Sequence, residues 1–400
     1  MSGADPSRTS VEAPGAPALS AFGRAVEPFR VMDILARAQA AERAGRDIIH
    51  LEVGEPDFPT PPAVLRAGEL ALAAGDTRYT PAHGTRELRE AIAADYRRRH
   101  QADVDPERIV ITAGASAAIL LALAAGVNPG EEVLLPDPGY ACNRQFVAAR
   151  GAVPVGLPVG AEHAFQPTAE AVAQAWGERT RAVLLGSPAN PTGTRLSADR
   201  LADIVDVVRA RGGLAIVDEI YGQILFDEPQ RSAAAFHPDV IVINSFSKYF
   251  AMTGWRLGWM VVPQMWIDPV RRIAQNLFVA PASMAQTAAV EAFAPETEEI
   301  LQRQVRELQT RRDVLLEALP ALGLEVQARP DGAFYIYADC TAHGDDSEAL
   351  CARILDEAGV ALTPGTDFSP SAGQRYLRIA YTQRESRLRE ALDRLASVLA

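Results

Sequence analysis

The sequence predicts an α/β protein, with a mostly parallel seven-stranded sheet in a large domain and a smaller α+β domain after it. Three observations lead there. Short apolar segments recur at 109–112, 132–135, 153–157, 182–185, 215–217, 240–244 and 257–262. Helical stretches or loops, such as 201–211, separate most of them, and short buried strands alternating with helices call for a parallel sheet covered on both faces. Past about residue 300 the pattern changes to a long charged helix, a few strands and two more helices.

Taken in order, residues 1–20 are rich in Ala, Pro, Ser and Gly without an apolar core after a basic start, which reads as a disordered leader and not a signal peptide. An arm over 21–55 follows, holding a helix at 31–43 and a strand at 47–51, and is expected to pack with the small domain. Prolines 56, 59, 61 and 62 then shape a loop. The large domain is expected over 56–300. Within it, 109–127 carries no charge, but its β-branched start, small-residue break and later leucines read as strand, turn and buried helix, not as a membrane span. The small domain, 301–400, should hold a helix at 296–319, strands at 324–326, 333–338, 360–362 and 376–379, and helices at 347–358 and 384–399.

Bulk numbers narrow the function. At 400 residues and 48% hydrophobic content the chain can bury a large core, and its formal net charge of -12 argues against a nucleic-acid surface. Three cysteines, Cys142, Cys340 and Cys351, support neither a disulfide framework nor a metal site, and point to a reducing, cytoplasmic setting. No metal, nucleic acid or membrane partner is expected.

One residue stands apart. Of 39 lysines and arginines, only Lys248 is lysine. Arginine serves wherever charge suffices, but only an amine can shed its proton on burial and attack a carbonyl to form a Schiff base. Other unusual residues also follow strands, where ligands gather in such sheets. Gly114-Ala115-Ser116 opens a helix, whose free N–H groups favour a phosphate. Tyr140 sits on the loop Pro136-Asp137-Pro138-Gly139-Tyr140, suited to stacking on a planar ring. Asn190 is held between prolines in Ser187-Pro188-Ala189-Asn190-Pro191-Thr192-Gly193. Asp218 ends an apolar strand, with Glu219 and Tyr221 beyond it, and a buried carboxylate needs a partner such as a protonated ring nitrogen. Arg256 lies eight residues beyond Lys248, where a second cation would bind phosphate and depress the amine. Each feature alone also reads as ordinary structure: a tight junction, packing, a turn, a satisfied core acid or a surface ion pair. Together they suit a phosphorylated aromatic aldehyde.

With Gly54-Glu55-Pro56-Asp57-Phe58, Tyr79-Thr80-Pro81 and Gly84, Asn190-Pro191-Thr192-Gly193, Asp218-Glu219-Ile220-Tyr221, Ser245-Phe246-Ser247-Lys248 and Gly254-Trp255-Arg256 in this order, the chain from about Phe29 to its end resembles the class I/II aminotransferases. These are pyridoxal-phosphate enzymes of fold type I, and the likeness is to the bacterial aspartate and alanine aminotransferase branch. The resemblance implies pyridoxal 5'-phosphate as cofactor, bound to Lys248 as a Schiff base, with Asp218 on the ring nitrogen, Tyr221 and Asn190 on the ring hydroxyl and Tyr140 stacked on the ring. It implies phosphate contacts from Ala115, Ser116, Ser245 and Arg256. Arg378 would take the substrate α-carboxylate, with Gly54 adding a backbone contact. Tyr79 would reach the phosphate in a partner subunit, which makes a homodimer with shared sites. An amino acid and a 2-keto acid would then react in two ping-pong half-reactions, with Lys248 moving the Cα proton. Some relatives read a side-chain carboxylate with a lysine, and none is left here. That shifts the expectation from a dedicated aspartate enzyme toward alanine or another neutral amino acid, with 2-oxoglutarate as acceptor. A carbon–sulfur β-lyase on the same fold and an effector-sensing regulator remain as alternative readings.

Overall fold

The computed structural model describes residues 18–399, so the expected leader falls almost wholly outside the described residues. Strand β1 is Ile49–His50, β2 Ile109–Thr112, β3 Glu132–Asp137, β4 Val153–Pro158, β5 Thr180–Gly186 and β6 Leu214–Asp218. Then come β7 Ile241–Ser245, β8 Gly258–Val261, β9 Tyr335–Asp339, β10 Val360–Ala361, β11 Thr363–Pro364 and β12 Tyr376–Ala380. Seven of these form one sheet in the order β2-β8-β7-β6-β5-β3-β4. Its pairings are parallel except those of β8, which runs against both β2 and β7.

Both faces of this sheet are buried. Val183 and Leu185 of β5 join Ala215 and Val217 of β6 in one apolar layer, while Ala182, Leu184, Leu214 and Ile216 join the other. A strand covered on two sides needs apolar residues at every position, so its sequence shows a run and no alternation. The uncharged stretch after Arg108 resolves into β2 and the helix Gly114–Gly126. Among the described residues no helix is long and apolar enough to cross a membrane.

The remaining strands lie on the C-terminal side. An antiparallel sheet has the order β11-β12-β9, and β1 pairs in parallel with β10. The N-terminal helix Arg30–Arg43 joins this part through Arg30–Glu348 and Arg37–Asp356 ion pairs, each 2.7 Å. Three expected strands come out differently. The one at 324–326 shrinks to a bridge between Glu325 and Asp339, because Pro330 lacks an N–H and those of Asp331 and Gly332 turn to the Gly193 carbonyl. The next starts at Tyr335 and not at 333, since Ala333 has φ 57° and donates to Ile224. The segment at 360–362 ends early, at Ala361: β10 pairs with β1, and after Leu362 the chain changes partner, β11 pairing with β12.

Gly258 fixes the spacing between sheet and helix. A Cβ there would lie 2.8 Å from the Gly114 carbonyl carbon, 2.9 Å from the Asn244 oxygen and 3.0 Å from the Ala115 nitrogen. All three are backbone atoms that cannot swing aside. Gly258→Val should therefore lower the urea midpoint, with a loss of about 1–3 kcal/mol from overpacking; an unchanged midpoint would show that the helix start is free to move.

Candidate active site

Five strands of the large sheet deliver the site from their carboxyl ends. β2 leads through Ala113 to Gly114, which has φ +79° and opens the helix carrying Ala115 and Ser116. β3 ends at Asp137, just before Tyr140; β5 ends at Gly186, just before Asn190; β6 ends at Asp218 itself; β7 ends at Ser245, three residues before Lys248. Arg378 comes from the other sheet, on its central strand β12. These elements enclose a cavity of about 570 Å³ whose lining includes Gly54, Ala115, Ser116, Tyr140, Asn190, Asp218, Tyr221, Lys248 and Arg378.

Three charges meet in this cavity. The Lys248 amine donates to the Gly54 carbonyl at 2.6 Å, and burial, aided by Arg378 and Arg256 against the opposing pull of Glu55, pushes it down to about 8. Asp218 accepts one backbone bond, from Ile220 N–H at 3.1 Å; burial pushes its carboxyl up to about 6, and no cationic side chain is bonded to it among the described residues. Arg378 lies between the rings of Tyr335 and Phe368, 4.4 and 4.6 Å from their centroids. It donates to Asn190 Oδ1 at 3.0 Å and to the carbonyl of Glu52. With Nη1 and Nη2 each held by one such acceptor, the planar fork is oriented and keeps further N–H groups for a carboxylate.

Not every expected residue lines the cavity. Ser245 is buried and does not line it; its hydroxyl donates to the Leu257 carbonyl at 3.1 Å, with the Ser247 hydroxyl 3.0 Å away. Arg256 stands by the helix start: a Cβ on Gly114 would meet its guanidinium at 2.6 Å, so glycine lets cation and helix N-terminus approach. Tyr79 is 86% exposed and away from the cavity lining. Other lining residues had no signal in the sequence. Tyr335 places its hydroxyl 2.9 Å from that of Tyr221, but its strand segment, Ala333-Phe334-Tyr335-Ile336-Tyr337, does not reveal which face turns inward. Phe29, Val31 and Met32 reach the cavity from the N-terminal arm, and Phe165 and Arg144 complete an upper wall of mostly apolar character.

An amine, a buried carboxylate and an arginine fork beyond the strands of this sheet define a class, the fold type I enzymes that work through pyridoxal phosphate. Solved structures agree. An aminotransferase from Mycobacterium tuberculosis superposes with a TM-score of 0.92 at 38% identity, covering 96% of this chain and 99% of that one. An aspartate aminotransferase from Thermus thermophilus, solved with maleate, gives 0.91 at 35% identity, covering 96% and 100%. The family model for aminotransferase class I and II matches residues 46–395, and the chain belongs to that family. Among curated relatives, a valine–pyruvate aminotransferase of Mycobacterium tuberculosis is 38% identical over 376 residues, covering 94% of this chain and 97% of its own. A (5-formylfuran-3-yl)methyl phosphate transaminase of Methanocaldococcus jannaschii is 36% identical over 376 residues, covering 93% and 97%. The protein is a pyridoxal-phosphate-dependent aminotransferase, moving an amino group from an amino acid to a 2-keto acid.

The position of the amine has a measurable consequence. Only the unprotonated amine is nucleophilic, and lowering its pKa brings that form in at lower pH. In the cofactor-free protein, competitive labelling of Lys248 should speed up with pH to about 8 and then level off. A rate still climbing toward 10.5, the value of a solvated lysine, would contradict the burial argument.

Proposed function

We propose that Lys248, Asp218 and Tyr221 do the catalytic work in this cavity and that Arg378 orients the substrate. One observation carries the reading: the chain's single lysine is buried, its amine is depressed, and it shares the cavity with an arginine and with an acid that has no cationic partner among the described residues. The residues present fit pyridoxal phosphate. Gly114 lets the Arg256 guanidinium come up to the helix start, so Ala115, Ser116 and Arg256 hold its phosphate, with Ser245 bracing the loop through the Leu257 carbonyl. Asp218 offers negative charge to a cationic ring nitrogen, Tyr140 supplies a ring to stack against, and Tyr221 and Asn190 supply polar atoms to a ring hydroxyl. Bound there, the cofactor supplies an electron-poor ring that stabilises negative charge at the substrate Cα.

The chain's own groups do the rest. Arg378 and Asn190 bind the α-carboxylate, Arg378 by its remaining N–H groups. Gly54 lets the chain approach closely, since a Cβ there would fall 1.8 Å from the Tyr335 hydroxyl oxygen. Lys248 Nζ would take the Cα proton as general base and then, as general acid, give it up to a different carbon, on the cofactor side of the bond being moved, which its lowered pKa suits near neutral pH. The cavity walls limit water.

Several further points belong to the same reading. The chain divides into an arm at 21–55, a large domain at 56–300 and a small domain at 301–400. Two copies pair with shared sites, for which the exposure of three large apolar side chains, Leu70, Leu72 and Tyr79, the last at 86%, is the supporting feature. The compartment is the cytoplasm, which the three free cysteines support. The amino donor is a neutral amino acid such as alanine or valine, which the mostly apolar lining, the lack of a second lysine and the valine–pyruvate relative support; the acceptor, from the family resemblance alone, is 2-oxoglutarate.

Lys248→Arg keeps the charge but not a usable amine, and should leave a folded protein with transamination reduced at least about 10³-fold. Residual turnover within about tenfold of the parent would remove Lys248 from catalysis. A panel of donors against several keto acids should give alanine or valine a higher kcat/KM than aspartate; aspartate ahead by about tenfold would reverse the substrate reading.

A further inference from the structure

Residues 51–54 present four successive carbonyls, and each one accepts a hydrogen bond. Leu51 takes Ala380 N–H at 2.8 Å, Glu52 takes Arg378 Nη2 and the Thr363 hydroxyl, Val53 takes the Thr382 hydroxyl at 3.3 Å, and Gly54 takes the Lys248 amine at 2.6 Å. The amine and the carboxylate-binding arginine, drawn from two different sheets, thus hang on one strip of backbone.

That strip is itself anchored by a charged triad behind the cavity. The Glu52 side chain is fully buried, with Oε1 2.7 Å from His50 Nδ1 and Oε2 unpartnered among the described residues. The other ring nitrogen, Nε2, lies 3.2 Å from Glu42, in the last turn of the helix Arg30–Arg43. An imidazole bonded on both nitrogens to carboxylates is a double donor and therefore cationic. Its raised pKa, about 9, agrees. The unpartnered Oε2 leaves the Glu52 carboxylate dependent on this one bond, and a buried carboxylate that loses its cation moves or neutralises.

We propose that His50, as an imidazolium bridging Glu42 and Glu52, is a positioning residue for substrate binding: it fixes the Glu52 carbonyl that aligns Arg378, and ties that alignment to the N-terminal helix. Arg378 Nε has no partner among the described residues, so the Glu52 carbonyl and Asn190 are the main polar restraints on its fork. Displacing residue 52 tilts the fork and spoils a bidentate pair, while the proton transfer at Lys248, whose amine is held two residues along the strip at Gly54, is less affected. None of the triad's three residues lines the cavity.

The proposal rests on the reading that Arg378 takes the α-carboxylate, and the experiment separates the two. His50→Phe keeps a ring and removes both donors; Glu52→Gln removes the buried charge; Glu42→Gln, at a half-exposed position, cuts the outer bond only. On cofactor-loaded enzyme, the expected result is a KM for the amino donor raised about tenfold in His50→Phe and Glu52→Gln and about threefold in Glu42→Gln, with kcat within about threefold of the parent. The Kd of an unreactive monocarboxylate, measured by calorimetry, should rise in parallel with KM. His50→Arg, which keeps the charge and two donors, should recover part of the loss. A merely structural role would lower the melting temperature and the yield while leaving KM and Kd of the folded fraction unchanged, and that result overturns the proposal. A fall in kcat at constant KM overturns it too. Should His50→Phe not fold, Glu42→Gln decides alone, since a KM and Kd equal to the parent's contradict any link to the helix. In an Arg378→Lys control, unchanged carboxylate affinity would refute the reading of Arg378 instead.

Discussion

A buried amine must find an acceptor, and in this protein it finds the carbonyl of Gly54. That single bond ties a loop of the seven-stranded sheet to a segment that belongs, by pairing, with the other strands. Leu51 bonds to β10 through Ala361 and to β12 through Ala380, and β12 carries Arg378. The site therefore exists only when the two parts of the chain are docked. Neither sheet alone assembles both the amine and the arginine.

The electrostatics follow from this arrangement. Two cations and one anion share a cavity with mostly apolar walls, and an isolated charge in such a place costs several kcal/mol. Each is handled differently. Arg378 is stacked between aromatic rings and bonded at Nη1 and Nη2. Lys248 responds by giving up its proton more easily, and Asp218 by holding one more tightly. The latter two shifts run toward each other, which is the arrangement expected where acid and base chemistry proceed together near neutral pH. In the proposed placement the family's cofactor, cationic at its ring nitrogen and anionic at its phosphate, would offset the charge at Asp218 and at the helix start near Arg256.

Much of this was legible in the sequence, for physical reasons that differ by element. The parallel sheet shows because strands buried on both faces need unbroken apolar runs, as in Ile109 to Thr112. Lys248 shows because arginine fills the other basic positions, and Asp218 because an acid rarely ends such a strand without purpose. The residues that stayed hidden are those whose role depends on partners far along the chain. Tyr335 meets Tyr221 across 114 positions, and Glu52 meets Arg378 across 326. The small strands misled where one backbone angle or a change of partner decides pairing, as at Ala333 and at the break between Ala361 and Thr363. Ser245, expected at the phosphate, is buried with its hydroxyl bonded to the Leu257 carbonyl, a partner twelve positions on that its own motif does not announce.

Peptide mapping after borohydride reduction tests the central claim most directly, because the chain contains a single ε-amine. Reducing the holoenzyme and digesting it should leave the pyridoxyl mass on the one peptide that contains Lys248, at close to one label per chain. A label confined to the N-terminal amine, or a fully active enzyme that takes up no label at all, would contradict the account.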